Sequence, residues 1–366
     1  MRLFGLRSHQ SPITYILPIN SNTIYTSDQN GFIIKWDLSI KRPILKWKAH
    51  NDSILTLINF QNKYLISHSR DSTIKIWLND KCEFEFPSNS LNFSNILLYD
   101  DQYLITPATI DSNNLDIYRI QLDSDSEWQL TRVVTNFSCY QLSNKNEILS
   151  DEDSMKGRKD FGIIMKFYLL NSIIYIGFES GDIIGLKMIL PDSKILRESN
   201  STTIINKDLK LELVYHNSTH SPNPVISLSS TDNYLVSGST GKKLIIHKSP
   251  IEILKFSNSG IQSILSFNNQ LIIGFWNGLI EYGNEIIERN LPQLKNEELT
   301  TTPTSDVPLK TNIKLTFMSL LIVENESEEI EDDKKKKYSS MIKRRQQNNI
   351  LFVGYEDGSI LAYAIK

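Results

Sequence analysis

Cysteine and net charge are both scarce in this sequence, and each shortage excludes a class of protein. Only Cys82 and Cys139 occur among 366 residues, too few for a disulfide framework. A reducing compartment therefore fits the chain better than secretion does. The formal net charge is -3, so no overall electrostatic field would draw the chain to DNA or to an anionic membrane.

The sequence also lacks an uninterrupted apolar run long enough to cross a bilayer. Its first residues, MRLFGLRSHQ, contain no apolar core of signal-peptide length. The most membrane-like stretch, FGIIMKFYLLNSIIYIGF at 161–178, is interrupted by Lys166 and rich in β-branched residues in its second half. It is predicted to form two strands with a turn at Asn171 and Ser172. No membrane partner is expected.

Motifs for catalysis and cofactor binding are missing as well. The sequence has no glycine-rich phosphate loop. The segment 160–162 spells DFG, the kinase metal-binding tripeptide, without the other kinase signatures. His216 and His220 are four residues apart, but the intervening NST disfavours a helix and no cysteine joins them as a zinc ligand. We therefore expect no cofactor and no metal site.

What the sequence does contain is an internal repeat of 41 residues. Trp36, Trp77 and Tyr118 follow this spacing, and the segments that end near the first two align without gaps. Ile24–Asp37 reads IYTSDQNGFIIKWD, and Leu65–Leu78 reads LISHSRDSTIKIWL. A period near 40 with a histidine, a hydroxyl, an Asp or Asn, and then tryptophan is the WD-repeat pattern. That pattern predicts propeller blades of four strands each.

The alignment predicts two matching sets of hydrogen-bonded side chains. Each set holds a histidine, a hydroxyl 17 residues later, an acid or amide, and the tryptophan. The sets are His9, Thr26, Asn30 and Trp36 in the first repeat, and His50, Ser67, Asp71 and Trp77 in the second. Serine, histidine and aspartate also form catalytic triads, which is the alternative interpretation. A nucleophile would not be duplicated in the next repeat with Asn for Asp, so a structural chain is favoured. No catalytic residue is predicted, and the chain is not expected to be an enzyme.

Residues 1–366 are predicted to form a single all-β domain, a seven-bladed WD-repeat β-propeller. A length of 366 residues accommodates about seven or eight blades. The seven assigned blades are Ile13–Asp37, Ser53–Leu78, Phe93–Ile120, Gly162–Met188, a fifth that follows His220, Ile261–Tyr282, and a seventh made of Leu315–Val323 and Ile350–Ile365. Alignment of His9 with His50 places Arg2–Leu6 on the outer-strand segment Pro43–Trp47. The N-terminal strand is therefore predicted to complete the last blade and close the ring.

Three polar insertions are predicted, near 123–160, 284–312 and 324–349. Within the first, Gln129–Tyr140 is predicted to hold an outer strand and then the next inner strand. The third carries seven acids in Glu324–Asp333, followed by seven bases: Lys334, Lys335, Lys336, Lys337, Lys343, Arg344 and Arg345. Two basic clusters separated by YSSMI resemble a bipartite nuclear import signal. A solvated loop with self-pairing charges is the alternative.

The arrangement as a whole resembles the fungal ASTRA-associated WD-repeat proteins, which are related to a G-protein β-subunit-like protein of animals. The resemblance rests on a first blade that starts almost at residue 1, with SP at 11–12 just after His9. It also rests on two strong opening blades before decayed middle ones, on SCY at 138–140 before blade 4, and on the ending GYEDGSI at 354–360.

This resemblance implies a scaffold subunit of a nuclear multiprotein complex that takes part in chromatin remodelling. The implied partners are AAA+ ATPases, phosphatidylinositol-kinase-like proteins and their cochaperones, with no direct contact to nucleic acid. The implied location is the nucleus, with the cytoplasm as a second site. Two other classes remain open: a G-protein β-like signalling subunit or other cytosolic WD-repeat adaptor, and a propeller hydrolase. A hydrolase would need carboxylates or histidines that converge on the central channel.

Overall fold

Seven four-stranded antiparallel sheets make up the fold. The structure is a computed structural model and describes residues 1–122, 127–143, 160–190, 209–231, 233–289, 313–322 and 349–365. Within these ranges the chain forms 28 strands and one short helix. The predicted all-β, seven-bladed β-propeller is confirmed.

The first strand, β1 (Arg2–Arg7), belongs to the last blade, and the strands that follow it fill the blades in chain order. Blade 1 contains β2 (Ile13–Asn20), β3 (Thr23–Asp28), β4 (Phe32–Asp37) and β5 (Arg42–Lys48). Blade 2 contains β6 (Ile54–Phe60), β7 (Tyr64–Ser69), β8 (Thr73–Leu78) and β9 (Lys81–Pro87). Blade 3 contains β10 (Leu97–Tyr99), β11 (Tyr103–Pro107), β12 (Leu115–Leu122) and β13 (Trp128–Phe137).

The remaining blades follow the helix α1 (Cys139–Ser143). Blade 4 contains β14 (Ile164–Leu170), β15 (Ile173–Phe178), β16 (Ile183–Ile189) and β17 (Lys210–Asn217). Blade 5 contains β18 (Val225–Thr231), β19 (Tyr234–Ser239), β20 (Lys243–Ile246) and β21 (Glu252–Lys255). Blade 6 contains β22 (Ile261–Phe267), β23 (Gln270–Phe275), β24 (Ile280–Tyr282) and β25 (Glu285–Ile287). Blade 7 contains β26 (Leu315–Leu321), β27 (Asn349–Tyr355) and β28 (Ser359–Ile365), with β1 as its outer strand.

Turns between second and third strands carry glycines in a left-handed conformation, among them Gly31 and Gly358. Gly31 has a φ of 81°, and a Cβ there would lie 2.1 Å from the carbonyl oxygen of His50. Gly358 has a φ of 76°, and its Cβ would lie 2.8 Å from the carbonyl oxygen of His9. Only glycine adopts such a backbone without steric cost. Each turn therefore packs directly against the loop that enters the next blade.

The chain's own first strand completes the last blade. β1 pairs antiparallel with β28, from Arg2 opposite Tyr363 to Arg7 opposite Ser359. Leu6 is only 2% exposed and lies in an apolar cluster with residues of both blade 7 and blade 1. The predicted closure by the N-terminal strand is confirmed. The closure covers the backbone edge that β28 would otherwise leave open.

The apolar stretch at 161–178 forms strands β14 and β15 of blade 4, as predicted. Asn171 and Ser172, with φ of 50° and 61°, make the turn between them. Their neighbours Leu170 and Ile173 are paired across the hairpin. Among the residues that the structure describes, no helix combines the length and apolarity needed to cross a membrane.

The structure corrects the prediction for Gln129–Tyr140. The outer strand β13 is present, but Cys139–Ser143 forms helix α1 instead of the next inner strand, which starts only at Ile164. Asn136 has a φ of 48°, and its N–H donates to the Asp116 carboxylate at 2.7 Å. This local geometry ends the strand before the predicted second strand could form.

Blade 3 begins later than predicted. Phe93 lies in the loop before β10 and not in a strand. The following Asn95 instead bridges to blade 4: its side-chain amide donates to the carbonyl of Phe167 at 3.0 Å and accepts from that residue's N–H at 2.9 Å. The inner strand of blade 3 starts only after this bridge, at Leu97.

The three predicted insertions lie largely outside the described residues. Each predicted range nevertheless includes residues that belong to a blade. The range 123–160 contains β13, and the range 284–312 starts with β25, the outer strand of blade 6. The range 324–349 ends on the first residue of β27.

Candidate functional site

The second predicted set forms a continuous buried hydrogen-bond chain in blade 2. Trp77 Nε1 donates to Ser67 Oγ at 2.7 Å, and Ser67 Oγ lies 2.6 Å from His50 Nε2. The other ring nitrogen, His50 Nδ1, lies 3.0 Å from Asp71 Oδ2. The structure thus brings all four predicted residues of this set together. These hydrogen bonds connect the loop that enters blade 2 to the second and third strands of the blade.

Blade 1 builds the same chain with a different acid. Trp36 Nε1 donates to Thr26 Oγ1 at 2.8 Å, Thr26 Oγ1 lies 2.7 Å from His9 Nε2, and His9 Nδ1 lies 2.7 Å from Asp28 Oδ2. The carboxylate is that of Asp28. The residue predicted for this place, Asn30, is exposed, and its backbone N–H donates to Asp28 Oδ1 at 3.0 Å. Asp28 is the last residue of β3 and Asn30 lies in the turn that follows, so the acid comes from the end of the strand and not from the aligned turn position.

Both carboxylates also hold the turn after the second strand. Asp28 Oδ1 accepts the N–H of Phe32 at 3.0 Å, and Asp71 Oδ1 accepts the hydroxyl of Thr73 at 2.7 Å. Burial opposes their ionisation, but the hydrogen bonds from histidine and from the turn outweigh it and lower the pKa of Asp28 and of Asp71. Both acids are therefore ionised acceptors at neutral pH.

These chains are not placed for nucleophilic catalysis. Thr26 and Ser67 are fully buried, and each hydroxyl oxygen lies between a tryptophan N–H and a histidine. A substrate would have to displace the tryptophan to reach either oxygen. The arrangement satisfies every polar group of the chain internally, which is what a structural network requires.

Blade 5 has a similar hydrogen-bond chain but no carboxylate in it. His247 Nε2 and His220 Nε2 lie 2.6 and 2.7 Å from Ser237 Oγ, and the Tyr215 hydroxyl lies 2.5 Å from His247 Nδ1. Gly241 stands at the position of Asp71, and His220 Nδ1 is buried without a partner. Burial lowers the pKa of His220 to about 4 and that of His247 to about 3.

The inner strands of the seven blades surround a central cavity of about 1060 Å³. Its charged lining residues are Arg70, Lys166 and Lys314, and no carboxylate lines it within the described part of the chain. Burial lowers the pKa of Lys166 to about 8. Tyr15 and Phe317 pack against each other on its wall, with ring centroids 4.4 Å apart and a tilt of 36° between the rings. The converging carboxylates that a propeller hydrolase would need are therefore not found on this lining.

The other candidate ligands serve local structure. The His216 imidazole pairs with Asp182 at 2.8 Å, whereas His220 belongs to the blade 5 chain. Asp160 accepts the Gly162 N–H at 3.0 Å, which caps a turn. Among the residues described, no three His, Cys, Asp or Glu side chains are grouped to hold a metal ion.

The seven bases of the predicted import signal lie outside the described residues. They are Lys334, Lys335, Lys336, Lys337, Lys343, Arg344 and Arg345.

Asp28 is the residue that sequence alignment missed. The signal for it was an acid at the last position of β3, two residues before the aligned Asn30.

Comparison with known proteins identifies close relatives over the full length. The family model described as ASTRA-associated protein 1 matches residues 2–363. The ASTRA-associated protein 1 of Candida tropicalis is 48% identical, with 99% of each chain covered. That of Lodderomyces elongisporus is 46% identical, with 99% of this chain and 97% of the relative covered.

One solved structure, the computationally designed Ika8 protein, shares the fold. It covers 100% of this chain and 99% of its own, with a TM-score of 0.54 and 14% sequence identity. An identity this low carries information on the fold alone.

Proposed function

The chain belongs to the ASTRA-associated protein 1 family, and we propose that it is a non-catalytic WD-repeat scaffold subunit of a nuclear ASTRA-type complex. The observation that carries the proposal is the match to this family over residues 2–363, which spans the whole closed ring. The relatives are named for their association with ASTRA. Membership in such a complex is the function that this likeness supports best.

The geometry supports a scaffold over an enzyme. The Ser, His and Asp side chains that could suggest catalysis are engaged in buried chains inside blades 1 and 2. A closed ring of sheets instead presents rigid loops on two faces and strands around its perimeter. Loops on a rigid scaffold are well suited to hold several proteins at once.

The finer role that we propose is participation in chromatin remodelling and in assembly of phosphatidylinositol-kinase-like proteins. The partners would be these kinases, their cochaperones and AAA+ ATPases. Contact with nucleic acid would run through the partners. Nuclear entry would use the basic clusters Lys334–Lys337 and Lys343–Arg345, since their spacing resembles a bipartite import signal.

Affinity purification of the tagged native protein tests this function. We expect large protein partners in stoichiometric amounts, with AAA+ ATPases and a phosphatidylinositol-kinase-like protein among them. Recovery of the chain as a lone monomer from both nuclear and cytosolic extracts would contradict the scaffold. A hydrolytic activity that is lost in Asp71→Ala at unchanged stability would replace the scaffold with an enzyme.

A further inference from the structure

The outer strands of blades 7 and 1 meet at a seam that is unusually basic. We call this surface the basic seam and define it by its six exposed cations: Arg2, Arg7, Lys41, Arg42, Lys46 and Lys48. They lie on β1, on β5 and in the turn before β5. Lys41 Nζ lies 5.1 Å from the ring centroid of Phe4, and Lys46 Nζ donates to the carbonyl of Ser8 at 2.8 Å. Side chains of blade 1 therefore reach across to blade 7.

The charge is specific to this seam. β1 and β5 together carry five cations and no carboxylate. The other five outer strands together carry four cations and five carboxylates. Because the whole chain has a net charge of -3, the concentration of positive charge on two neighbouring strands is a local feature.

The positive charge of the seam is not neutralised within the described structure. None of its six cations lies within ion-pairing distance of a carboxylate among the described residues. The described parts of blades 1 and 7 contain four carboxylates, and each already accepts a hydrogen bond. They are Asp28 from His9, Asp37 from Ser39, Glu356 from the N–H of Lys314, and Asp357 from Arg289.

Aromatic rings hold several of these cations in place. Lys46 and Lys48 lie 5.2 and 5.1 Å from the ring centroid of Phe32, and Lys48 Nζ also donates to the carbonyl of Asn30. Holding a lysine by an aromatic ring and a carbonyl orders its side chain without cancelling its charge. A ligand that pairs with these groups would therefore pay less ordering entropy than on free lysines.

Apolar side chains lie exposed among the cations. Ile40 is 58% and Ile44 is 55% exposed, and Ile44 lies between Arg42 and Lys46 in the sequence of β5. A surface that alternates positive charge and exposed aliphatic groups matches a peptide that alternates carboxylates and aliphatic side chains. A nucleic acid would satisfy the charges but leave these isoleucines without a partner.

From these observations we propose that the basic seam is a docking surface for an acidic, apolar-containing segment of a partner protein. The inference rests on the proposed scaffold function and names one contact surface for it. A purely protective role of the cations, against pairing of exposed strand edges, would be expected on every outer strand. The other five outer strands do not share this charge, so protection alone does not account for the seam.

The test uses the purified full-length chain and a fluorescein-labelled peptide rich in glutamate and leucine. Fluorescence anisotropy measures its affinity for the unaltered chain and for three variants. Two variants neutralise opposite sides of the seam, and the third is a matched control on the outer strands of blades 2, 4 and 5. They are Arg42→Gln/Lys46→Gln/Lys48→Gln, Arg2→Gln/Arg7→Gln, and the control Lys81→Gln/Lys210→Gln/Lys255→Gln.

Each seam variant is expected to weaken binding about tenfold, whereas the control should leave affinity nearly unchanged. Replacing the peptide's glutamates with glutamine, or its leucines with serine, should also weaken binding. Circular dichroism and thermal melting check that each variant folds. If one side of the seam fails this check, the variant of the other side still decides the question.

Three results would overturn the proposal. They are no saturable binding to the unaltered chain, an equal loss in the control variant, and duplex DNA bound as tightly as the peptide. Because the assay contains no other subunit, its failure leaves the complex-membership test untouched. Failure of the purification experiment likewise leaves this binding measurement valid.

Discussion

In blades 1 and 2, each buried histidine has a hydrogen-bond partner at both ring nitrogens. The ionised Asp71 carboxylate can only accept, so a neutral His50 carries its proton on Nδ1, and the Ser67 hydroxyl accepts from Trp77 Nε1 and donates to His50 Nε2. In blade 5, His247 stands in place of the tryptophan and Gly241 in place of the acid, and His220 Nδ1 is buried without a hydrogen-bond partner. One missing carboxylate thus leaves a buried polar group unpaired, and such groups are costly.

Removal of the Asp28 or the Asp71 carboxylate is expected to destabilise the fold far more than removal of the Asn30 side chain. Asp28→Ala and Asp71→Ala each leave a buried histidine and several turn donors unpaired, at a cost of about 1–3 kcal/mol. Asn30→Ala removes an exposed side chain and should change the free energy of unfolding by less than about 0.5 kcal/mol. Urea unfolding measures all three. Equal losses for Asp28→Ala and Asn30→Ala would contradict the assignment of the acid to Asp28.

Stability is expected to fall as pH drops from about 6.5 toward 4. Burial lowers the pKa of His220 to about 4, below the value of 6.5 for an unperturbed histidine. Between about pH 6.5 and 4, His220 is therefore protonated in the unfolded chain and neutral in the folded chain. The free energy of unfolding therefore keeps its full value above about pH 6.5, the pKa of histidine in the unfolded chain. It decreases between about pH 6.5 and 4, by at most about 3 kcal/mol from His220. Burial lowers the pKa of His68 and His247 to about 3, which acts in the same direction.

Gly241→Asp should weaken this pH dependence. It supplies a carboxylate at the position where blade 2 has Asp71, so protonated His220 would gain a partner and its pKa would rise. The new Cβ would lie 3.2 Å from Asn223 Nδ2, which requires only a small shift of that side chain. Urea midpoints at pH 7 and pH 5 measure the effect, with Gly241→Asn as the uncharged control. The same pH dependence in both variants would rule out the electrostatic account.

The limits of sequence interpretation show clearly in blade 1. A gapless alignment pairs Asn30 with Asp71 because the two repeats share their spacing from histidine to tryptophan. The spacing from histidine to tryptophan shows which backbone positions of the two blades correspond, and this correspondence is correct. The carboxylate that contacts His9 belongs to Asp28 at the end of β3, two residues before the aligned turn position, and its side chain reaches the histidine from there. Alignment alone cannot distinguish these two solutions.

Among the elements, the hairpins of second and third strands were predictable and the short connecting elements were not. The hairpin of β7 and β8 includes LISHSRDSTIKIWL, which aligns without gaps on the corresponding segment of β3 and β4, so the internal repeat identifies it. Helix α1 has five residues and β25 has three. Neither is long enough to show a period, and both depend on contacts with neighbouring elements. A short segment of this kind is determined by tertiary packing and not by its own sequence.

The segment between β26 and β27 is expected to be dispensable for folding. Those strands pair in register from Leu315 opposite Tyr355 to Leu321 opposite Ile350, so the hairpin they form needs only a short turn. The 324–349 sequence has few large apolar residues and can bury little. Replacement by a Gly-Ser turn should leave the melting temperature nearly unchanged, since loop closure depends weakly on length. A large drop in that temperature would show that the segment belongs to the core.

Loss of the seven bases should affect location and not stability. If Lys334–Lys337 and Lys343–Arg345 form an import signal, their replacement by alanine shifts a fluorescently tagged protein from nucleus to cytosol. Partner binding in extracts should persist, because the ring itself is unaltered. Replacement of the acids in Glu324–Asp333 by Gln is the matched control. Unaltered nuclear localisation of the alanine variant refutes the import role.

For the molecule as a whole, the join between its first and last strands decides whether the ring is closed. Every other blade obtains its outer strand from the local chain, but blade 7 obtains β1 from the opposite end of the sequence. The join also brings Phe4 against Phe352, and Leu6 into the cluster shared with Trp36. It creates the basic seam too, since Arg2 and Arg7 enter that surface only with β1. Closure, stability and the proposed docking surface therefore depend on one short strand.

Deletion of residues 1–7 should consequently be far more damaging than its length suggests. The deletion exposes the backbone edge of β28 and the apolar cluster beneath Leu6, so we expect a lower melting temperature and self-association. Size-exclusion chromatography and thermal melting measure both effects. Arg2→Gln/Arg7→Gln is the control, because it keeps the strand and changes only exposed charges. A synthetic peptide of residues 1–7 should partly restore the monomer by strand addition. A truncated chain that stays monomeric and melts like the parent would show that the ring holds without its closing strand.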